Sequence, residues 1–492
     1  MQGEATGALE TQKPKAKTNS PHSLNDMKQS ICLPLASVLA VSVLAVVPSV
    51  SAAPPGGRAA KILHEFTLPP FSLSNFGYSS AELTAAAANG AVTDSPGIGS
   101  GLQQLNGNHY LSVTDRGPNI DRTVAVGGDT FKAFPFPQFT PTIVVLKVVN
   151  GQIVPTDYLP IVNDLNENVT GLPNGPADDG PGYVSLTTPT TSPIPYNHDG
   201  LDTEDIHTLP GGGFILVEEY SSSVVIVSDT GNVLRRYTPG GKTLAAANYT
   251  AGVTTPAANY AVRDILPPVL KQRRANRGFE GIAVSADGRT AYTVMQSPLG
   301  STSAGSPTAT PPVPPSPYRN TLLVRILRMD ISDPLDIQVT GQFVVYMSPP
   351  AAYPTGNNAR DLKISATAWV SEDRLLFLER TDKPGAGGAK LILVDLTNAT
   401  DVSGRADAGT PLVYENGATN LASLVPAVVP ATSQIVLDVN AELPSITDYK
   451  LEGLSILNAN TVSISNDNDF GIGDAPGRSS KIWQILLSQP LR

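Results

Sequence analysis

The sequence predicts an all-β protein, a β-propeller of four-stranded antiparallel blades with long Pro/Gly-rich loop insertions. Three observations predict it. One strand–turn–strand template recurs along the chain. A second hairpin follows most copies of it. The composition favours many short strands joined by many turns, with 43 Gly and 44 Pro in 492 residues and only 15% charged residues, which argues against a helical bundle or coiled coil. The 41% hydrophobic content is enough to fill a core, and so argues against a disordered chain. The net charge of −10 lacks the basic face that a nucleic-acid binder needs.

The amino end reads as an export signal. Met27-Lys28 opens a short positive region, Ile31 to Val47 is apolar, and Val50-Ser51-Ala52 supplies the small residues of a cleavage site. Residues 1–52 are read as an extension and signal peptide cut after Ala52, and residues 53–492 as one propeller. A membrane anchor is the alternative; the apolar run is short for it and the cleavage site follows at once. Translation from Met27 is a further alternative. The product is expected to be secreted or periplasmic, free of the membrane and monomeric.

The one cysteine, Cys32, lies inside the signal. The mature chain has no disulfide, thiol nucleophile or thiolate metal site. Removing 1–52 leaves 29 basic against 40 acidic residues, net −11.

Five segments share the template: 101–117, 201–220, 278–297, 363–382 and 450–469. Each runs from a polar start through an apolar strand, a tight turn and a second apolar strand to a polar end. The turns are Asn106-Gly107, Gly211-Gly212-Gly213, Asp287-Gly288, Glu372-Asp373 and Asn458-Ala459-Asn460. Further strand pairs are Thr142–Val149 with Gln152–Tyr158, Ser223–Ser228 with Asn232–Tyr237, and Leu322–Met329 with Ile337–Tyr346, and Lys390–Leu396 adds another strand. Hairpin plus hairpin makes a blade, and blades in series bury their faces on one another. From Glu204 to Glu280, Ala366 and Glu452 the repeats lie 76 to 86 residues apart, wider than the ~40–50 of a plain blade. Insertions at Asn163–His198 and Ser297–Tyr318 account for part of the excess. Five blades are recognised and six or seven are allowed. Lys61–Thr67 is expected to pair with Lys481–Ser488 and close the ring, removing exposed edges.

Acidic residues recur at fixed places in the repeat. Glu204, Glu280 and Glu452 stand at the start of the first strand; Asp115, Glu218, Glu219, Gln296, Glu379, Asn466, Asp467 and Asp469 stand at the end of the second. In an antiparallel hairpin these two places are neighbours, so all of them are expected at one mouth of the central channel. Carboxylates at close range repel one another, and a bound cation removes that cost. Oxygen donors suit a hard ion, above all calcium. The expected ligands are Asp202, Glu204, Glu218, Glu280, Glu379, Glu452, Asp467 and Asp469. The alternative is that the acids cap strand ends and form solvated ion pairs with Arg116, Arg277 and Arg380.

DRGPN (115–119), LDTEDI (201–206), NRGFEGIAVS (276–285), Glu379-Arg380 and KLEGLSILN…NDNDFG (450–471) together resemble the family called esterase-like activity of phytase, the phytase-like domain proteins. The resemblance spans about Gly97 to Leu487. It implies a β-propeller, acidic residues suspected of enzymatic activity, and an association with phytase or phosphatase labels. It places Asp115, Glu204, Glu280, Glu379, Glu452, Asp467 and Asp469 at the family's acidic positions. The fourth repeat departs, with Ala366 where Glu would recur.

Other chemistry is weaker in the sequence. Gly99-Ser100-Gly101 lacks the spacing of a nucleophile elbow. His64, His109, His198 and His207 read as hydrogen-bonded or exposed side chains, with His198 and His207 as reserve acid/base or ligand groups. The expected function is a calcium-dependent hydrolase of phosphate esters, with Asp115, Glu204, Glu280 and Glu452 as catalytic candidates and Arg116, Arg277 and Arg380 holding a small-molecule ester substrate, polyanionic phosphates included. Alternatives are a calcium-dependent carboxylic esterase or lactonase, and a calcium-stabilised binding propeller without catalysis.

Overall fold

The computed structural model describes residues 59–121, 132–175, 182–186, 193–242, 244, 259–306, 308–381, 383–405, 412–472 and 478–491. The expected export signal lies outside the described residues. Among those described, no helix is long and apolar enough to cross a membrane.

The chain begins with β1 (Lys61–Thr67) and a helix, α1 (Ser80–Ala88). Ser79 caps the helix, and the Glu82 side chain reaches back to the Ser79 amide at 2.7 Å, closing a capping box. Blade one is β2 (Leu102–Asn106), β3 (His109–Val113), β6 (Thr142–Val149) and β7 (Gln152–Pro160). Between its two hairpins lies a minimal pair, β4 (Ile120–Asp121) and β5 (Lys132–Ala133). Blade two is β8 (Thr203–Thr208), β9 (Phe214–Glu218), β10 (Ser223–Val227) and β11 (Val233–Pro239), with β12 (Val262–Leu266) added in parallel at the edge. Blade three is β13 (Phe279–Val284), β14 (Thr290–Met295), β15 (Leu323–Asp330) and β16 (Gln338–Tyr346). Blade four is β17 (Lys363–Ser371), β18 (Arg374–Thr381), β19 (Gly388–Asp395) and β20 (Thr432–Asp438). The last blade is β21 (Leu451–Asn458), β22 (Thr461–Asn466) and β23 (Lys481–Leu486), completed by β1.

β1 runs antiparallel to β23, from Lys61 opposite Leu486 to Thr67 opposite Lys481. One parallel pairing, Thr67 with Gln152, joins it to β7. The first strands pack in a closed order, β2 on β8, β8 on β13, β13 on β17, β17 on β21 and β21 on β2. That ring makes the fold a propeller with the first strands innermost.

The core lies between blades. Ile215, Val217, Val224 and Ile226 of blade two meet Phe279, Met295 and Leu327 of blade three in one cluster. Leu376, Leu378 and Leu391 of blade four meet Leu454, Ile464 and Trp483 of the last blade in another. Because both faces are covered, β9 and β10 are buried along their whole length, which explains their unbroken apolar runs. Among its described residues the Ser297–Tyr318 insertion carries no strand, only an isolated bridge between Ser306 and Val313.

Candidate metal centre

Three of the inner strands start with a β-bulge that takes one glutamate out of the ladder. Thr203 pairs with Glu218 and Asp205 with Val217, so Glu204 drops out of the ladder. Phe279 pairs with Met295 and Gly281 with Val294, which leaves out Glu280. Leu451 pairs with Asn466 and Gly453 with Ser465, which leaves out Glu452. A bulge breaks the alternation of faces and re-aims the extra side chain. Blade four has the same bulge, but there Ile364 pairs with Glu379 and Ala366 with Leu378. The position equivalent to the glutamates is therefore Ser365, not Ala366. Ser365 Oγ donates to the Leu451 carbonyl at 2.7 Å. Gly281 keeps the inner strands close, since a Cβ there would sit 2.5 Å from the Thr367 amide nitrogen.

Alternation then sorts the residues at the end of each second strand. Glu218 turns into its blade. Its carboxylate is 2.8 Å from Arg236 Nη2 and accepts from the Ser221 amide at 3.0 Å and from Ser223 Oγ. Glu379 does the same, accepting from the Ser348 amide at 3.0 Å and from the Tyr353 hydroxyl at 2.8 Å. Glu219, which follows Glu218, and Asp467, which follows the ladder residue Asn466 of the last blade, point the other way. One carboxylate oxygen from each of Asp202, Glu204 and Glu219 lies within 4.8 Å of the others.

The three bulge glutamates share this mouth. Burial, and then the negative charges of Glu280, Asp202, Glu219 and Glu452, push the pKa of Glu204 well above the usual carboxylate range. Burial, then Glu219 and Glu452, push Glu280 the same way. Burial raises Asp202 to about 7, although Arg116 Nη1 stands 3.0 Å from its Oδ2. Burial raises Glu452 to about 7 against the pull of Lys450 and Arg380. Asp115 is raised by burial and by Asp467 and Asp202.

Cations answer only part of this charge. Arg380 is hydrogen-bonded to Glu452. Lys450 is hydrogen-bonded to Asp467 and Asp469, with its Nζ 3.8 Å from Glu452 Oε1. Arg116 serves Asp202 and approaches Glu219 at 4.0 Å. Glu219 Oε1 and Glu280 Oε2 are buried without a hydrogen-bond partner, as is Gln296 Oε1. An all-oxygen donor set with orphaned, buried carboxylate oxygens fits a hard divalent cation.

A family model described as Phytase-like, esterase-like activity of phytase, matches residues 96–470. The chain belongs to the phytase-like family. That membership supports a hydrolase-type function. Among curated proteins no significant match was found. Similar solved structures include the PQQ-bound aldose sugar dehydrogenase of Streptomyces coelicolor, at 11% identity over 88% of this chain and 100% of that one, with a TM-score of 0.31. A glycosyl hydrolase from Bacteroides ovatus is 7% identical over 88% and 93%, with a TM-score of 0.31. Virginiamycin B lyase from Staphylococcus aureus is 11% identical over 77% and 99%, with a TM-score of 0.22. The propeller assignment of this phytase-like chain rests on its own sheets, not on these distant likenesses.

The sequence-predicted residues divide accordingly. Asp115, Asp202, Glu204, Glu280, Glu452 and Asp467 act on one another's charge at the mouth, and Asp469 joins them through Lys450. Glu218 and Glu379 are not among them, because Arg236 in one case and Ser348 with Tyr353 in the other occupy their carboxylates. Arg116 and Arg380 face the acids. Arg277 instead donates to Ser297 Oγ at 2.7 Å and the Leu362 carbonyl at 3.2 Å, holding two loops together. Sequence reading passed over Glu219 as a ligand and left out Lys450 and Lys363. The signal for the lysines was in the repeat: each opens its segment at the place Asp202 takes in blade two. His207 lies further down the channel, with Nδ1 2.8 Å from the Thr208 carbonyl. Burial lowers the pKa of both His207 and His198. The channel below the mouth is a cavity of about 140 Å³ whose walls include Leu102, Ile206, Ile282 and Leu454. Asp205 also lines it and links two inner strands, accepting from the amides of Ile206 at 2.8 Å and Ile282 at 2.9 Å.

Proposed function

We propose that this protein is an exported, calcium-dependent hydrolase of phosphate esters, with the ion held by Asp202, Glu204 and Glu219 and bordered by Glu280. The supporting observation is the convergence of these buried carboxylates with oxygens left unpartnered. Calcium bound there supplies Lewis acidity toward the ester oxygens and offsets the charge of an anionic substrate. Glu280 has the means of a general base, because Oε2 is unpartnered and burial, with the negative charges of Glu219 and Glu452, raises its proton affinity above that of an ordinary carboxylate. Arg116, held over the Tyr220 ring at 5.6 Å and paired with Asp202, orients one ligand and borders the place where substrate oxygens would enter. Arg380 and Lys450 line the far side of the mouth with positive charge.

Hydrolysis of phytate and of p-nitrophenyl phosphate, lost in chelator and restored by calcium, is the expected result. No turnover of any phosphomonoester with calcium present defeats the reading. One observation favours a neutral ester as second choice. Carboxylates outnumber cations at this mouth, which disfavours a polyanion. Turnover of carboxylic esters or lactones, without phosphatase activity, would select that class.

A further inference from the structure

Blades two and five repeat the same three mouth positions. In blade two they are Asp202 before the first strand, Glu204 at the bulge and Glu219 after the second strand. In blade five they are Lys450, Glu452 and Asp467. The equivalence is fixed by backbone bonds. The Glu219 amide donates to the Asp202 carbonyl at 2.9 Å, and the Asp467 amide donates to the Lys450 carbonyl at 3.1 Å. Glu204 and Glu452 are the bulge residues of the two ladders. Two carboxylates thus recur in one frame, and only the leading residue changes, from a carboxylate to an amine.

The amine occupies the place of an ion. Lys450 Nζ is hydrogen-bonded to Asp467 and to Asp469, and is 3.8 Å from Glu452 Oε1. Its side chain is only 18% exposed. Among the described residues of blade two no ammonium takes that place; Lys132, from β5, acts on Asp202 through its charge. Arg116 reaches Asp202 from the side but leaves Glu219 Oε1, a buried atom, without a hydrogen-bond partner.

Resting on the metal reading above, we infer that Lys450 is a resident cation that fills a second, blade-five ion site, so that the mouth takes one divalent ion, in blade two. The ammonium donates to the same kinds of oxygen that a calcium ion would collect, and no exchange with solvent is needed to keep it there. Removing the charge frees Glu452, Asp467 and Asp469 to hold a second ion.

Equilibrium dialysis with calcium alone tests this on the full mature chain. Wild type is expected to bind one ion, Lys450→Met two, and Lys450→Met with Glu219→Gln one. A folded Lys450→Met variant that still binds one ion overturns the inference and leaves the metal reading intact. So does a wild type that binds two or more. A wild type that binds none defeats the metal reading itself. Lys450→Gln serves as a second variant. If Lys450→Met folds only in calcium, as judged by circular dichroism, an added ion at that concentration supports the inference. Failure of both variants to fold at any calcium concentration shows that calcium does not replace the ammonium, and overturns it.

Discussion

Glu218 and Glu219 are adjacent in the chain and serve opposite sides of one sheet. Glu218 meets Arg236 inside the blade at 2.8 Å, and Glu219 meets Asp202 and Glu204 at the channel mouth. Both carboxylates are almost fully buried, at 0% and 2% exposure, so burial does not separate them; the face of the strand does. Glu218→Ala leaves Arg236 buried without its partner and is expected to cost about 3–5 kcal/mol of stability, with calcium binding unchanged in the folded protein. Glu219→Gln is expected to abolish the calcium-dependent rise in melting temperature. Thermal melts in chelator and in calcium check both, and the reverse pattern would reassign the ligand.

The mouth makes the metal-free protein sensitive to alkaline pH. Asp202 and Glu452 rise from ordinary values of 3.8 and 4.5 to about 7 in the folded state. The folded state therefore binds more protons than the unfolded state between about pH 4 and 7, and stability falls as pH rises through that window. In chelator, the urea midpoint is expected to be lower at pH 8 than at pH 5. Calcium, which competes with those protons, is expected to remove most of the difference and to bind more tightly as pH climbs toward 7. A midpoint that rises with pH in chelator would contradict the assignment.

The approach of the inner strands is steric and local. A methyl at Gly281 would stand 2.5 Å from the backbone nitrogen of Thr367, which is not free to move aside. Gly281→Ala is expected to lower stability by on the order of 1–3 kcal/mol in urea titrations, and to weaken calcium binding by shifting Glu280. An unchanged urea midpoint would show that the ring tolerates expansion there.

Ring closure depends on a short amino-terminal strand. Lys61–Thr67 covers β23, and Glu65 accepts from Trp483 Nε1 at 3.0 Å and Lys481 Nζ at 2.6 Å. Its deletion bares a strand edge and is expected to lower the melting temperature and promote aggregation, as light scattering during a thermal ramp would show. Glu65→Ala alone is expected to cost far less, since the backbone ladder remains.

Much of this was legible from residues alone. The five hairpins, their turns and the closing strand follow from alternation and turn chemistry. Two edge strands were not legible. β12 is mostly exposed and joins its sheet in parallel, and β20 is exposed along its first four residues and separated from β19 by a long insertion. Neither has the apolar pattern that reveals an inner strand. Glu204, Glu280 and Glu452 were legible as a recurring place in the repeat. The choice between Glu218 and Glu219, and between Ser365 and Ala366, was not, because each turns on a one-residue register that bulges displace.

Chain order and residue type by themselves determined that strands pair with their neighbours, that blades bury both faces, and that acids gather at one end of the hairpins, because these follow from local periodicity and short connections. Only the closed ring decided which of those acids meet, which are spent on Arg236, Ser348 or Tyr353, and where Lys450 places its charge. Those outcomes depend on contacts between blades far apart in sequence, and on the direction a side chain takes once a bulge has shifted its strand.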